Sequence, residues 1–326
     1  MSIKARSLPA LTVIAASLAL VPAATAATAA WPEKPIRVII PWAPGGSTDI
    51  VARILAADLT KRLKQQVIID NRPGAGSIVG LHLAAQMAPD GHNFMITSTA
   101  YGHLINPKQA RGIDYVKSFD HVALLGFGDS VLAVHPTLPV KSVKELIALA
   151  KKRPGELNYS SSGIGGFPHM NTELFKLMTG TNIVHIPFQG GGPAIADTVA
   201  GNTQIHLGSI TTMIAHIRSG RLKTLAVGGR KRNPQLPDFP TIAETVPGYS
   251  TYIWWGMFAP LKTPPDLINR MNAEVNAVLE SPDIQSKLEV QGAVPEKMDA
   301  AGFRKLMVDE TNKWLDVIKR ANIQGE

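Results

Sequence analysis

Cysteine is absent from all 326 residues. That removes disulfides, thiolate metal sites, a cysteine nucleophile and a lipid-bearing cysteine from consideration. Acidic residues (25) are fewer than basic ones (33), for a net charge of +8 that falls to +6 without the two charges of Lys4 and Arg6. Aromatic residues make up only 6% of the chain, and basic residues gather only in "KKR" (Lys151 to Arg153) and "RKR" (Arg230 to Arg232). A nucleic-acid binder carries a basic stripe with aromatic platforms, so no nucleic-acid partner is expected. A mildly basic body favours small anions through its long-range field. Signature motifs are missing as well. No lysine follows a glycine loop as in a nucleotide-binding P-loop, no G-x-S-x-G elbow occurs, and the nine histidines include no H-E-x-x-H pair. No metal and no cofactor is expected.

What the chain does have begins with an export signal. "MSIKAR" supplies Lys4 and Arg6, then an apolar stretch of about a dozen residues, short of the about 20 a membrane span needs, runs into small residues. Charged start, apolar middle and A-x-A end are those of a cleavable signal peptide, residues 1–26, with Ala24 at the −3 position. No later stretch is long and apolar enough to span a bilayer. The expectation is a freely diffusing monomer of the periplasm, with about 300 residues in two domains.

Strand and helix patterns alternate along the mature chain. "IRVIIPW" reads as a buried strand, Thr48 to Leu63 as a helix, "QVIID" as a strand, Gly76 to Met87 as a helix and "NFMITST" as a strand. "SFDHVALLGFGDSVLAVHP" reads as strands around a glycine turn. Further on, "SVKELIALAKKRPG" carries a Ser142 cap and a Glu145 capping box. "LNYSSSG", "IVHIPF", "TQIHLGS" and "LKTLAVGG" are strands with helices between them. After "TYIWWGMFAP" come helices only: Pro264 to Leu279, Pro282 to Gln291 and Ala300 to Ala321. Such alternation predicts open α/β sheets. The helical tail has no sheet of its own, so it should pack on an earlier one. The predicted division is residues 31–130 plus 252–326 as a discontinuous first domain and 131–251 as the second, with a hinge where the chain crosses twice.

In open α/β sheets, ligands sit at the carboxyl ends of strands. The first turn of a helix has unpaired N–H groups and the positive end of the dipole, so it attracts anions. "APGGSTD" after the first strand fits this: Pro44, Gly45 and Gly46 make the turn, and Ser47 or Thr48 can cap the helix or touch a ligand. "GAGSIVG" (Gly74 to Gly80) resembles a dinucleotide fingerprint, but "NRP" separates it from its strand, so a loop closing over the cleft or tight helix packing is the better reading. In the second unit, "SSSGIGG" offers Ser160, Ser161 and Ser162, and "QGGGP" puts Gly190, Gly191 and Gly192 before a helix. Two glycine-rich helix starts, one per domain, can face each other across a cleft and hold a small anion without an arginine.

These residues, taken in order, resemble the Bug family, the periplasmic solute receptors of tripartite tricarboxylate transporters. The segments that carry the resemblance are "WPEKPIRVIIPWAPGGSTDIVAR", "IDNRPGAGSIVG", "NYSSSGIGGFPHM", "HIPFQGGGPAIADTVAG", "IRSGRLKTLAV", "PTIAETVPGY" and "WWGMFAPLKTPPDLINRMN". The resemblance implies a two-domain, periplasmic-binding-protein-like α/β fold of type II kind, each domain an open sheet flanked by helices, with the ligand cleft between. It implies a small organic carboxylate as ligand and the membrane components of such a transporter as partners. Matching ligand positions are Pro44, Gly45, Gly46, Ser47 and Thr48, then Phe188, Gln189, Gly190, Gly191 and Gly192, with Ser161, Ser162, Gly163 and His169 near the cleft. Asp49 matches an acid expected to brace the first loop. Trp42, Tyr101, His103, Trp254 and Trp255 are candidates for an aromatic-friendly wall, with core packing an equal or better reading for the tryptophans. The chain departs from the family at Gln189, where lysine is commoner, and at Ser77, where glycine is. It also lacks an aspartate near Gly208 and Ser209, so a plain organic acid is expected rather than an amino acid. Two rival readings are a periplasmic sensor subunit and a hydrolase using Ser161 or Ser162 with His169.

Overall fold

Strand β1 (Ile36–Ile40) lies parallel between β2 (Val67–Asn71) and β3 (Asn93–Ser98), and α1 (Ser47–Leu63) and α2 (Ile78–Ala85) make the crossovers. The structure is a computed structural model that describes Met1 and residues 31–325; the expected signal peptide, residues 1–26, lies outside them apart from Met1. Two single-turn helices, α3 (Gly102–Ile105) and α4 (Pro107–Ala110), lead into the long strand β4 (Phe119–Val134). Then follow α5 (Val143–Lys152), β5 (Asn158–Ser161), α6 (Phe167–Thr179), β6 (Val184–Pro187), α7 (Gly191–Ala200), β7 (Ile205–Ser209), α8 (Ile210–Arg218) and β8 (Lys223–Val227). β9 (Tyr252–Pro260) returns antiparallel to both β3 and β4, before α9 (Pro265–Leu279), α10 (Pro282–Val290), β10 (Ala293–Val294) and α11 (Ala300–Arg320). The strands form one sheet in the order β2-β1-β3-β9-β4-β7-β5-β6, with β8 and β10 also on β4.

β4 changes partners along its length. Phe119 to Asp129 pair with β9, whereas Ser130 to Val134 pair with β7. The expected glycine turn inside this segment is not made: β4 is a single strand of 16 residues. Gly126 (φ 141) instead marks a register shift, and a Cβ there would lie 2.3 Å from the Val294 carbonyl oxygen. The glycine is what lets β10 approach. β10 was itself missed, since two residues carry no periodicity.

Buried side chains collect on either side of this change. One cluster holds Val38, Leu55, Leu81, Phe258, Met271 and Phe303. Two more hold Leu132, Leu146, Phe175 and Tyr249, and Val131, Ile195, Met213 and Val227. Trp254 and Trp255 are fully buried in the first cluster, so of their two expected places the structure shows core packing and not a ligand wall. α1 shows why such helices form: Val51, Leu55, Leu59 and Leu63 recur every four residues on the buried face, and left-handed Lys64 ends it. Cutting Leu55 to alanine would cost roughly 2–5 kcal/mol. The helical tail packs as expected, α9 and α11 against β4 and α9 also against α1. At α5, Ser142 accepts the Glu145 N–H at 3.2 Å, but the Glu145 carboxylate takes the Lys141 N–H at 2.7 Å rather than closing the box on Ser142.

Candidate functional site

Four helix starts meet at one small cavity of about 30 Å³. α1 brings Gly46, Ser47 and Thr48; α6 brings Phe167 and Pro168; α7 brings Gly191; α8 brings Ser209 and Thr212. Trp42, Ser98, Thr99, Ser162, His206 and Ile253 complete the wall. In each helix the first-turn N–H groups have no intrahelical partner. Gly46, Gly166 and Gly190, the residues before α1, α6 and α7, offer no side-chain cap, which leaves the first-turn N–H groups uncapped, although Pro168 in α6 and Pro193 in α7 have none to give. Only α8 is capped by a side chain, with Ser209 Oγ accepting the Thr211 N–H at 3.3 Å.

The first loop is braced from behind by Asp49. Its buried carboxylate accepts from the Gly45 N–H at 3.0 Å, from Arg53 Nε at 3.0 Å and from Asn71 Nδ2 at 3.0 Å. Asn71 Nδ2 also donates to the Trp42 carbonyl at 3.0 Å. Burial alone would raise the Asp49 carboxyl, but the hydrogen bonds from Arg53, Gly45 and Asn71 outweigh it and hold it below its ordinary value. Thr48 Oγ1 donates to Ser98 Oγ at 2.9 Å, and Trp42 Nε1 donates to Thr97 Oγ1 at 3.3 Å. The loop is thus tied to the carboxyl end of β3.

The glycine loop before α7 lies directly against the first loop. Ala43 donates its N–H to the Gln189 carbonyl at 3.1 Å. A Cβ on Gly190 would sit 2.9 Å from the Ala43 nitrogen, and one on Gly192 would sit 2.6 Å from the Pro44 carbonyl oxygen. Only a chain without side chains at these positions permits the approach.

The serine–glycine turn after β5 forms a third part. Ser162 reaches the cavity wall, whereas Ser161 faces away from it: its Oγ is 2.5 Å from His185 Nε2 and accepts the Gly163 N–H at 3.1 Å. His169 Nδ1 accepts the Gly165 N–H at 3.1 Å, and its ring lies 4.3 Å from that of His185. The serine–His169 pair that a hydrolase needs is not formed. Burial, helped by neighbouring positive charge, holds His169 at about 4 and His185 at about 3, so neither suits a base near neutrality.

His206 is the one titratable group on the cavity wall, and burial holds it at about 4, so it is neutral at pH 7. Its Nδ1 is 2.8 Å from Ser160 Oγ, which in turn is 2.8 Å from Thr198 Oγ1. The wall therefore presents hydroxyls and helix starts but no formal charge. Such a site accepts an anion through dipoles and N–H or O–H donors. Among the described residues, no group of three or more potential ligands could hold a metal.

Trp42 and Ser162 also wall a second chamber, which brings in Gly163, Phe188 and Gln189. Pro44, Gly45, Gly190 and Gly192 belong to the touching loops rather than to either wall. Tyr101 lines neither cavity. It is fully buried, donates to Glu310 Oε2 at 3.3 Å and stacks on Trp314 at 5.6 Å. His103 is buried edge-on to Tyr115, its ring centroid 4.9 Å away. Ser98, Thr99, Phe167, His206, Ser209, Thr212 and Ile253 were not foreseen as wall residues. The rule that ligands sit at strand ends points to Ser98, Thr99 and Ser209, which close β3 and β7; nothing local marks the others. Among the described residues no helix is long and apolar enough to cross a membrane.

Comparison with known proteins agrees with this architecture. BugT of Bordetella pertussis is 35% identical over 294 residues, 89% of this chain and 90% of that protein. The solved structure of R. palustris Rpa4515 with adipate superposes with a TM-score of 0.87 at 33% identity, covering 90% of this chain and 99% of the other. The periplasmic binding protein BugD superposes with a TM-score of 0.85 at 27% identity, covering 91% and 100%. The sequence model of TctC, the tripartite tricarboxylate transporter family receptor, matches residues 51–323. With that match over most of its length, and with the two-domain fold of the periplasmic binding proteins, the chain belongs to the tripartite tricarboxylate transporter receptor family.

Proposed function

We propose that this receptor captures a small organic carboxylate in the cavity ringed by helix starts, closes on it, and delivers it to the membrane components of a tripartite tricarboxylate transporter. The observation that carries the reading is the convergence of the α1, α6, α7 and α8 starts on a wall with no formal charge. A charge-assisted hydrogen bond contributes about 1.5–3 kcal/mol. A micromolar ligand requires about 8 kcal/mol, which three or four such bonds and some apolar contact supply. The adipate in the R. palustris relative is a carboxylate of this kind.

The moving parts are residues 31–130 with 252–326 as one domain and 131–251 as the other. The change of partners along β4 at Asp129 and Ser130, and the separate apolar clusters on either side, support that division. Contact between the glycine loops is the closed state. Ligand contacts made to both domains at once would favour it over an open one. The receptor works as a monomer in the periplasm and performs no chemistry on its ligand.

Calorimetric titration of the mature protein, refolded from denaturant to strip ligand, tests the proposal. Mono-, di- and tricarboxylates are compared with the corresponding full amides. Saturable binding of an acid, unaltered on recovery, with no binding of its amide, is expected. Equal binding of the uncharged amide, or conversion of the acid, would refute the reading.

A further inference from the structure

Trp42 and Ser162 line both the first cavity and a neighbouring chamber of about 250 Å³. The turn Gly74 to Ser77 forms one side of it, Gly163, Ile164 and Phe188 the other, and Asn106, Gln109 and Gln189 also line it. The two spaces differ in chemistry. Around the first, helix starts offer free N–H groups. Beside the second, the start of α2 is already used: Ile78 donates to the Ala75 carbonyl and Val79 to the Gly74 carbonyl at 3.4 Å. α4 is a single turn and has no comparable dipole.

What the second chamber offers is three carboxamides, and among the described residues no lysine, arginine, histidine, aspartate or glutamate lines it. A carboxamide carries both a donor NH2 and an acceptor oxygen. Together they match a group that both gives and takes hydrogen bonds, such as a hydroxyl or another amide. A carboxylate uses only the donors and must leave water without a counter-charge. Lys108 and Arg111 are nearby, but they line an outer groove that shares only Ala75 and Gln109 with the chamber.

We propose that the ligand spans both spaces, with its carboxylate in the first cavity and an uncharged, hydrogen-bonding tail in the second. Asn106, Gln109 and Gln189 read that tail. The substrate class is a monocarboxylate bearing a distal hydroxyl or amide, not a dicarboxylate. This rests on the carboxylate reading of the first cavity.

The test compares four probe types of matched length on the stripped mature protein: plain alkanoates, ω-hydroxy acids, dicarboxylate monoamides and dicarboxylates, of about four to eight carbons. For a six-carbon chain these are hexanoate, 6-hydroxyhexanoate, adipic acid monoamide and adipate. The monoamide or hydroxy acid should bind at least about tenfold more tightly than both the alkanoate and the dicarboxylate. Asn106→Leu and Gln109→Leu should each remove about three- to tenfold of that preference while leaving the alkanoate within about twofold. A dicarboxylate that binds most tightly overturns the inference, all the more if K108Q with R111Q abolishes its advantage. An alkanoate that binds as well as the tailed acids overturns it too, while leaving the carboxylate cavity standing. Failure of every acid overturns both.

Discussion

Ala43 lies in the loop before α1 and Gln189 in the loop before α7, and the N–H of the first donates to the carbonyl of the second at 3.1 Å. The bond joins the two loops with backbone alone, so side chains can be used to disturb it without removing a partner. Gly192→Ala is the cleanest disturbance. Its Cβ would meet the Pro44 carbonyl oxygen at 2.6 Å, and its φ is not in the left-handed region. The two loops must part. We expect ligand affinity to fall at least about tenfold, equivalent to about 1.4 kcal/mol, while the melting temperature of the unliganded protein moves little. Titration calorimetry with a parallel thermal melt checks this; unchanged affinity would mean that closure does not bring these loops together.

Asp49→Ala attacks the same loop from behind. It strips acceptors from Gly45, Arg53 and Asn71 at once. Lost hydrogen bonds to a charged group cost roughly 1.5–3 kcal/mol. A stability loss of that order, with weakened binding, is the expected result in urea denaturation. Because the folded carboxyl lies below its ordinary value, its contribution is fully present above the unfolded pKa of about 3.9 and disappears as the pH drops through the lower folded value.

Acid should weaken the fold well before that. His103, His121, His169 and His206 lie at about 4 and His185 at about 3, burial being the main cause in each. Unfolded, each takes a proton near 6.5. Between those values the unfolded chain binds more protons, so stability falls as pH drops from about 6.5 towards 4. Denaturation midpoints at pH 7.5, 6 and 5 measure it, and a flat profile would contradict the buried, neutral state of these rings. Ligand affinity behaves differently. With His206 neutral throughout, affinity for a fully ionised acid should be constant between pH 6 and 9.

Glu310 of α11 ties three aromatic side chains together. It accepts from Tyr252 at 2.6 Å, from Trp314 at 3.1 Å and from Tyr101 at 3.3 Å, and it is buried. Glu310→Leu leaves those three donors unpaired at roughly 1–3 kcal/mol each. Even partial relaxation should lower the melting temperature by several degrees, at about 2–4 °C per kcal/mol. Glu310→Gln, which keeps one acceptor oxygen, should recover part of the loss.

Much of this was legible in the sequence because strand-to-helix turns are local. Trp42 to Thr48 and Gln189 to Gly192 are readable as helix starts from glycine, proline and the strand before them. What stayed hidden depends on distant partners. Gly126 reads as a turn until β10 is seen lying against it. Tyr101 reads as a ligand wall residue until Glu310, far along the chain, is found holding its hydroxyl. The serines at the end of β5 look equivalent in sequence, but strand alternation turns Ser161 towards His185 and leaves Ser162 at the cavity.

The uninterrupted course of β4 bears on how the molecule comes apart. One strand supplies backbone partners to β9 on one side of Ser130 and to β7 and β8 on the other. Melting either half would fray the strand that the other half needs. The two domains therefore share a fate under heat or denaturant, and a scanning calorimeter should record one cooperative transition where two separable bodies would give two.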